Sequence, residues 1–237
     1  MAKKTGFPAG GCTMPHLDLA AYLIDLIGTL SFAVAGAMVA ADRRMDLFGV
    51  LSMGIVTAMG GGVMRDCLLG QFPARNFYSY DYICFALAAS LIVFIMVRAL
   101  HEAYARNRKL VESVNSVFDA IGLASFTVTG VQIAMDCGHT ENGIFCVFLG
   151  LMTGVGGGIL RDVMCCVVPQ VFTRHIYAVA SIAGGVLYYA CVRSGATEVG
   201  AVLAMAFIFT LRMLARTYRW NLPRIPFSAE ENGLDDD

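Results

Sequence analysis

The sequence predicts an all-α polytopic membrane protein, with seven transmembrane helices arranged as two inverted three-helix repeats plus one helix. Three observations carry this expectation. The 237 residues are 57% apolar and 15% charged, with a mean hydropathy of +0.66, whereas soluble chains carry about 25% charged residues. Such a chain lacks the polar side chains to cover its own surface in water, which excludes an ordinary water-soluble enzyme. The apolar residues are gathered into seven runs, each near the roughly 20 residues that a helix needs to cross about 30 Å of hydrocarbon. Finally, the first half of the chain recurs in the second.

The runs cover residues 19–41, 46–69, 80–99, 114–136, 143–167, 175–193 and 197–215. The first is too long, and lacks a convincing cleavage site, to be a removed signal peptide, so it reads as a retained anchor. Ala9-Gly10-Gly11-Cys12 has the look of a lipoprotein cleavage site, but no apolar stretch precedes it. The second run contains a glycine triplet and an arginine. The third, with Ile83 to Val97 apolar on every side, excludes the period-two alternation of a transmembrane barrel. The polar stretch from His101 to Glu112 separates it from the fourth. The domain division is therefore a tail at 1–18, a first repeat at 19–99, a cytoplasmic connector at 100–113, a second repeat at 114–193, a seventh helix at 197–215 and an acidic-ended tail at 216–237.

Lysines and arginines set the orientation. One side of the membrane receives Arg43, Arg44, Arg98, Arg106, Arg108, Lys109, Arg174, Arg212, Arg216, Arg219 and Arg224; the other receives Lys3, Lys4, Arg75 and Arg193. This predicts an outside N-terminus and a cytoplasmic C-terminus. Arg65 and Arg161 fall inside apolar runs. A net charge of −1 gives no general attraction to nucleic acid.

The internal repeat is explicit. Asp25, Gly28, Phe32 and Gly36 recur as Asp119, Gly122, Phe126 and Gly130. Thr57, Gly60, Gly61, Gly62, Arg65 and Asp66 recur as Thr153, Gly156, Gly157, Gly158, Arg161 and Asp162, and Pro73 recurs as Pro169. Each copy holds three runs, and an odd number forces the copies into opposite orientations, as in many transporters.

Three successive glycines lower helix stability by roughly 1 kcal/mol each and bare one turn of side chains. Such a turn either breaks, exposing backbone groups to a small ion or zwitterion, or admits a neighbouring backbone closely. Recurrence beside an ionisable pair favours the broken helix. Charge within a span costs at least ~2.5–3.5 kcal/mol at the centre of a helix, so Arg65, Asp66, Arg161 and Asp162 need partners or water. Adjacent residues point about 100° apart on a helix, and pseudo-twofold symmetry permits cross-pairs, Arg65 with Asp162 and Arg161 with Asp66; snorkelling to headgroups is the alternative. Asp25 and Asp119 either stabilise a helix start or bind a cation or proton in a pathway. Thr57 and Thr153 either line that pathway or bond back to their own helix.

At these residues the chain resembles the bacterial membrane family built from two tandem glycine-transporter domains, related to the trimeric intracellular cation (TRIC) channels. The resemblance spans about residues 19–215, and the doubled glycine triplet followed by Arg-Asp is its most specific mark. It implies an inner-membrane homotrimer with one pathway per subunit, lined by the second and fifth helices at Gly60 to Gly62 and Gly156 to Gly158, with the Arg-Asp pairs beside them. The lysine-bearing motif of the animal channels is replaced by Arg-Asp in both copies. A fixed arginine repels cations unless neutralised, so a glycine-like zwitterion stands beside a monovalent cation as the expected solute; a TRIC-like cation channel and a structural membrane protein without transport are the alternatives.

Enzymatic chemistry has no visible basis: HExxH and GxSxG are absent, and His16, His101, His139 and His175 lie in tails or near span ends. The eight cysteines show no CxxC spacing, and most lie inside the apolar runs, where Cys reads as a small apolar residue and not as a metal ligand or disulfide partner. No cofactor or metal is expected. The expected partners are the lipid bilayer, a small solute or ion, and further copies of the chain, with no nucleic acid.

Overall fold

The computed structural model describes residues 19–78, 80–173, 176–218 and 220. The apolar runs become helices: α1 (Leu19–Asp42), α2 (Leu47–Leu68), α3 (Tyr80–Ala99), α4 (His101–Arg106), α5 (Arg108–Ala134), α6 (Gly143–Met164), α7 (Gln170–Thr173), α8 (Tyr177–Arg193) and α9 (Thr197–Thr217). Helices α1, α2, α3, α5, α6 and α9 are long and apolar enough to cross a membrane. Helix α8 is apolar but has only 17 residues. The polar connector is itself helical, broken at Asn107 between α4 and α5. Tyr104 fastens it to the end of α1 by donating to Asp42 Oδ1 at 3.1 Å. The expected tail 1–18, with Lys3, Lys4, Cys12 and His16, and the C-terminal tail from 221 on, with Arg224, fall outside the described residues, as do Arg174, His175 and Arg219, whereas Arg216 and Thr217, expected in that tail, still belong to α9.

Local chemistry repeats with the sequence. Asp46 caps α2 by accepting from the Gly49 N–H at 2.8 Å, and Asn142 caps α6 by accepting from the Phe145 N–H at 3.1 Å. Each side chain satisfies a donor left free in the first helical turn. Both helices then run unbroken through their glycine triplets. The expectation of broken helices is therefore corrected. The triplets instead serve close packing, because a glycine turn presents only backbone to its neighbour.

Helices α1, α2, α5 and α6 form the centre, with α1 against α2 and α5, and α6 against α2 and α5. A side chain at Gly61 would strike the Thr153 carbonyl, and one at Gly157 would strike the Thr57 carbonyl. Residue numbers rise along α2 as they fall along α6, so the two helices cross antiparallel. The α1–α5 crossing has the same reciprocity: Gly28 faces Phe126, Gly122 faces Phe32, and the two rings meet edge to face at 5.2 Å. Helix α3 flanks α1 and α2, while α8 flanks α5 and α6 and α9 packs on α5 and α8. The apolar residues of α3 that remain exposed, including Ile92, Ile95 and Met96, suit a lipid environment.

Candidate functional site

Beyond the crossing, α2 carries Arg65 and Asp66 towards one end and α6 carries Arg161 and Asp162 towards the other. With Gly61 level with Gly156 and Gly60 with Gly157 at the crossing, the two arginines lie roughly 14 Å apart along the helix axis at 1.5 Å per residue. That separation precludes the cross-pairs. Each arginine pairs with its own neighbour: Arg65 Nε donates to Asp66 Oδ1 at 2.7 Å, and Arg161 Nε donates to Asp162 Oδ1 at 2.9 Å. The length of the arginine side chain overcomes the angle between adjacent positions. Both guanidinium groups are about 1% exposed, which also excludes snorkelling to headgroups.

Each aspartate has a second task. The other oxygen of Asp66 accepts from the Arg75 N–H at 2.8 Å, opening a short 3-10 turn at Arg75–Phe77. The other oxygen of Asp162 accepts from the Gln170 N–H at 2.8 Å, at the start of α7. Thus Pro73 and Pro169 precede two loops that fold back and cap themselves on the buried acids. Beneath these pairs, Thr57 donates to the Met53 carbonyl at 2.7 Å and Thr153 to the Leu149 carbonyl at 2.7 Å. Both threonines bond back to their own helix, while the glycines opposite them, Gly36 and Gly130, leave room for their hydroxyls.

The two matched acids differ. Asp119 lies well inside α5, away from the helix start, and is 3% exposed. It accepts from Arg161 Nη1 at 3.0 Å and from Arg212 Nη2 at 3.5 Å. The Arg212 guanidinium rests 4.2 Å above the ring of Tyr177, a cation–π arrangement. Arg212 thus belongs to a buried charge cluster on α9, and the count of orienting surface charges loses one member. Its position near the end of an apolar run disguised it. Asp25 is 5% exposed, and among the described residues its carboxylate has no ion-pair partner.

Cys137, between the fourth and fifth apolar runs, is disulfide-bonded, which the spacing of the cysteines does not indicate. Cys67, Cys84, Cys146, Cys165, Cys166 and Cys191 are free thiols. Among the described residues no cluster of three His, Cys, Asp or Glu side chains is placed to hold a metal ion.

Comparison with known proteins places this geometry. The model of the family described as "Glycine transporter" matches twice, at residues 22–98 and 116–193. The UPF0126 inner membrane protein YadS of Escherichia coli (strain K12) is 35% identical over 213 residues, covering 90% of this chain and 98% of that one. A UPF0126 membrane protein of Deinococcus radiodurans is 43% identical over 163 residues, 68% of this chain and 71% of the relative. Among solved structures, one describing conductance through TRIC cation channels aligns with a TM-score of 0.75 at 33% identity, covering 88% of this chain and 98% of that one. The TRIC trimeric intracellular cation channel orthologue from Rhodobacter sphaeroides aligns at 0.76 and 28% identity, covering 86% and 100%.

Proposed function

The chain belongs to the glycine transporter family, and from that premise we propose that it is a TRIC-like homotrimeric channel of the bacterial inner membrane, passing a small monovalent cation through each subunit. The observation that carries this reading is the likeness to TRIC cation channels at 28–33% identity along nearly the whole of each chain. In this reading α8 is the sixth of seven spans, and the two family matches are repeats of opposite orientation. The antiparallel contacts of Gly61 with Thr153 and of Gly157 with Thr57 support that inversion.

The pathway runs along α2 and α6, past Gly60 to Gly62 and Gly156 to Gly158, with the charged clusters of Arg65, Asp66 and Asp25 and of Arg161, Asp162 and Asp119 at opposite ends. Backbone contact at the crossing closes it, and the low intrinsic helix stability of consecutive glycines allows the two helices to bend apart. Neutralisation of Arg65 by Asp66 and of Arg161 by Asp162 removes the repulsion that a fixed arginine would present to a cation. A glycine-like zwitterion remains the second reading, favoured by buried acids and guanidinium groups within one cluster. The N-terminus faces outward and the C-terminus the cytoplasm. A disulfide at Cys137, in the outward loop of that arrangement, suits an oxidising compartment.

Purified protein in liposomes tests the function. Passive potassium flux without concentrative glycine uptake is the expected result; glycine uptake without potassium flux would replace the channel by a carrier.

A further inference from the structure

The two halves place matched side chains in unequal surroundings. Asp119, Arg161, Asp162 and Tyr177 in the second half correspond to Asp25, Arg65, Asp66 and Tyr82 in the first. The second set is electrically balanced, since Asp119 and Asp162 face Arg161 and Arg212. Arg212 comes from α9, which packs on α5 and α8 and has no matched helix in the first half. There, Arg65 is taken up by Asp66, and the other nearby cation, Arg75, lies within electrostatic reach of Tyr82 but forms no ion pair with Asp25. The Asp25 carboxylate is left without an ion-pair partner among the described residues.

Asp25 lacks the ion pairs that Asp119 has, and two further buried groups of the first half lack a partner; the Tyr177 hydroxyl shares this with Tyr82, but its ring is covered by the Arg212 guanidinium. Arg161 donates to Asp119, but no ion pair joins Arg65 to Asp25 among the described residues, although Asp25 lies within electrostatic reach of both Arg65 and Tyr82. Arg65 Nη2 and the Tyr82 hydroxyl are buried without a hydrogen-bond partner. Arg65 is 1% exposed and Tyr82 3%. A buried carboxylate takes an opposite charge or water, and an unpartnered guanidinium N–H needs an acceptor. A hydrated monovalent cation answers both requirements: the ion faces the Asp25 carboxylate and the Tyr82 oxygen, and a water of its shell accepts from Arg65 Nη2.

We propose that Asp25 and Tyr82 bind an exchangeable monovalent cation, which neutralises Asp25 as the Arg212 guanidinium neutralises Asp119, but at the Tyr82 hydroxyl where Arg212 covers the Tyr177 ring. The halves are then functionally unequal. The first carries an open cation site at one mouth of the pathway, and the second carries its matched acid closed by a cation tethered to α9. This deepens the channel reading and rests on it only for the onward passage of the ion.

Thallium(I), a heavy stand-in for potassium, tests the inference by equilibrium binding to purified protein and by its anomalous scattering in crystals. Wild type should bind one Tl⁺ per subunit, located against Asp25, and Asp25→Asn none. Arg212→Gln should bind two, the second against Asp119, while Arg212→Lys, which keeps the tethered charge, should still bind one. Gel filtration verifies that each variant is folded. If Arg212→Gln does not fold, wild type and Asp25→Asn decide alone. Absence of Tl⁺ from wild type, retention of the site in Asp25→Asn, or a folded Arg212→Gln that still binds one ion would overturn the inference. Potassium flux in liposomes separates the two claims: flux without a site at Asp25 overturns this inference and leaves the channel, whereas a site at Asp25 without flux overturns the channel and leaves the site.

Discussion

Gly61 of α2 packs directly against the carbonyl of Thr153 on α6, and Gly157 of α6 packs in the same way against the carbonyl of Thr57 on α2. A methyl group at either glycine would meet backbone, which cannot rotate aside. Gly61→Ala and Gly157→Ala should therefore each destabilise the protein by about 1–3 kcal/mol, the usual cost of overpacking. Gly158, one position on, has only the Tyr177 hydroxyl at 3.4 Å and an Arg161 nitrogen at 3.7 Å near its added carbon. There alanine should be neutral or stabilising by up to about 1 kcal/mol through helix propensity. Thermal unfolding in detergent checks the contrast. Equal losses at Gly157 and Gly158 would mean that the triplet acts through flexibility and not through the crossing.

The buried pairs should show coupling within each end of the bundle and none between ends. Removing one partner of a buried ion pair costs about 3–5 kcal/mol. Arg161→Met strands Asp162 but leaves Asp119 with Arg212, whereas Arg65→Met strands Asp66 beside an already unpaired Asp25, so the loss at Arg65 should be at least as large. Double-mutant cycles should give clear coupling for Arg161 with Asp119 and for Arg65 with Asp66, and values near zero for Arg65 with Asp162. Appreciable Arg65–Asp162 coupling would revive the cross-pair.

Asp66 and Asp162 should each act on a loop as well as on an arginine. Asp162→Asn keeps an oxygen acceptor but removes the charge that both Arg161 and the Gln170 N–H use. The expected result is a loss of about 1–3 kcal/mol, together with faster amide exchange at Gln170. Unchanged exchange there would separate the loop from the acid.

The outward placement of Cys137 is open to chemical test. A membrane-impermeant maleimide applied to intact cells should label Cys137 only after reduction, in a variant whose other cysteines are serine or alanine apart from the disulfide partner. Labelling confined to inverted vesicles would reverse the orientation.

Much of the scaffold was legible because hydropathy alone governs it. The third run, 80–99, coincides with Tyr80–Ala99, and the first and second differ from their helices by a residue at most ends. The doubled Thr, Gly, Arg and Asp positions located the central crossing. Their mechanics were not legible, for identifiable reasons. A glycine triplet reads the same whether a helix bends or a backbone approaches, and only the Thr153 and Thr57 carbonyls decide it. Symmetry relates the arginines and so permits the cross-pairs in sequence; antiparallel crossing separates them along the axis. Position alone places Arg212 at the surface, six residues before Tyr218 at the end of α9, whereas its partner Asp119 is 93 residues away. That distance in sequence carries no local pattern.

The most direct test of the channel reading is electrical recording from the purified protein in a planar bilayer, with unequal potassium chloride on the two sides and glycine added to one. The account predicts unitary current steps whose reversal potential follows the potassium gradient and does not move with glycine. Absence of steps, accompanied by saturable counterflow of labelled glycine in liposomes from the same preparation, would contradict it.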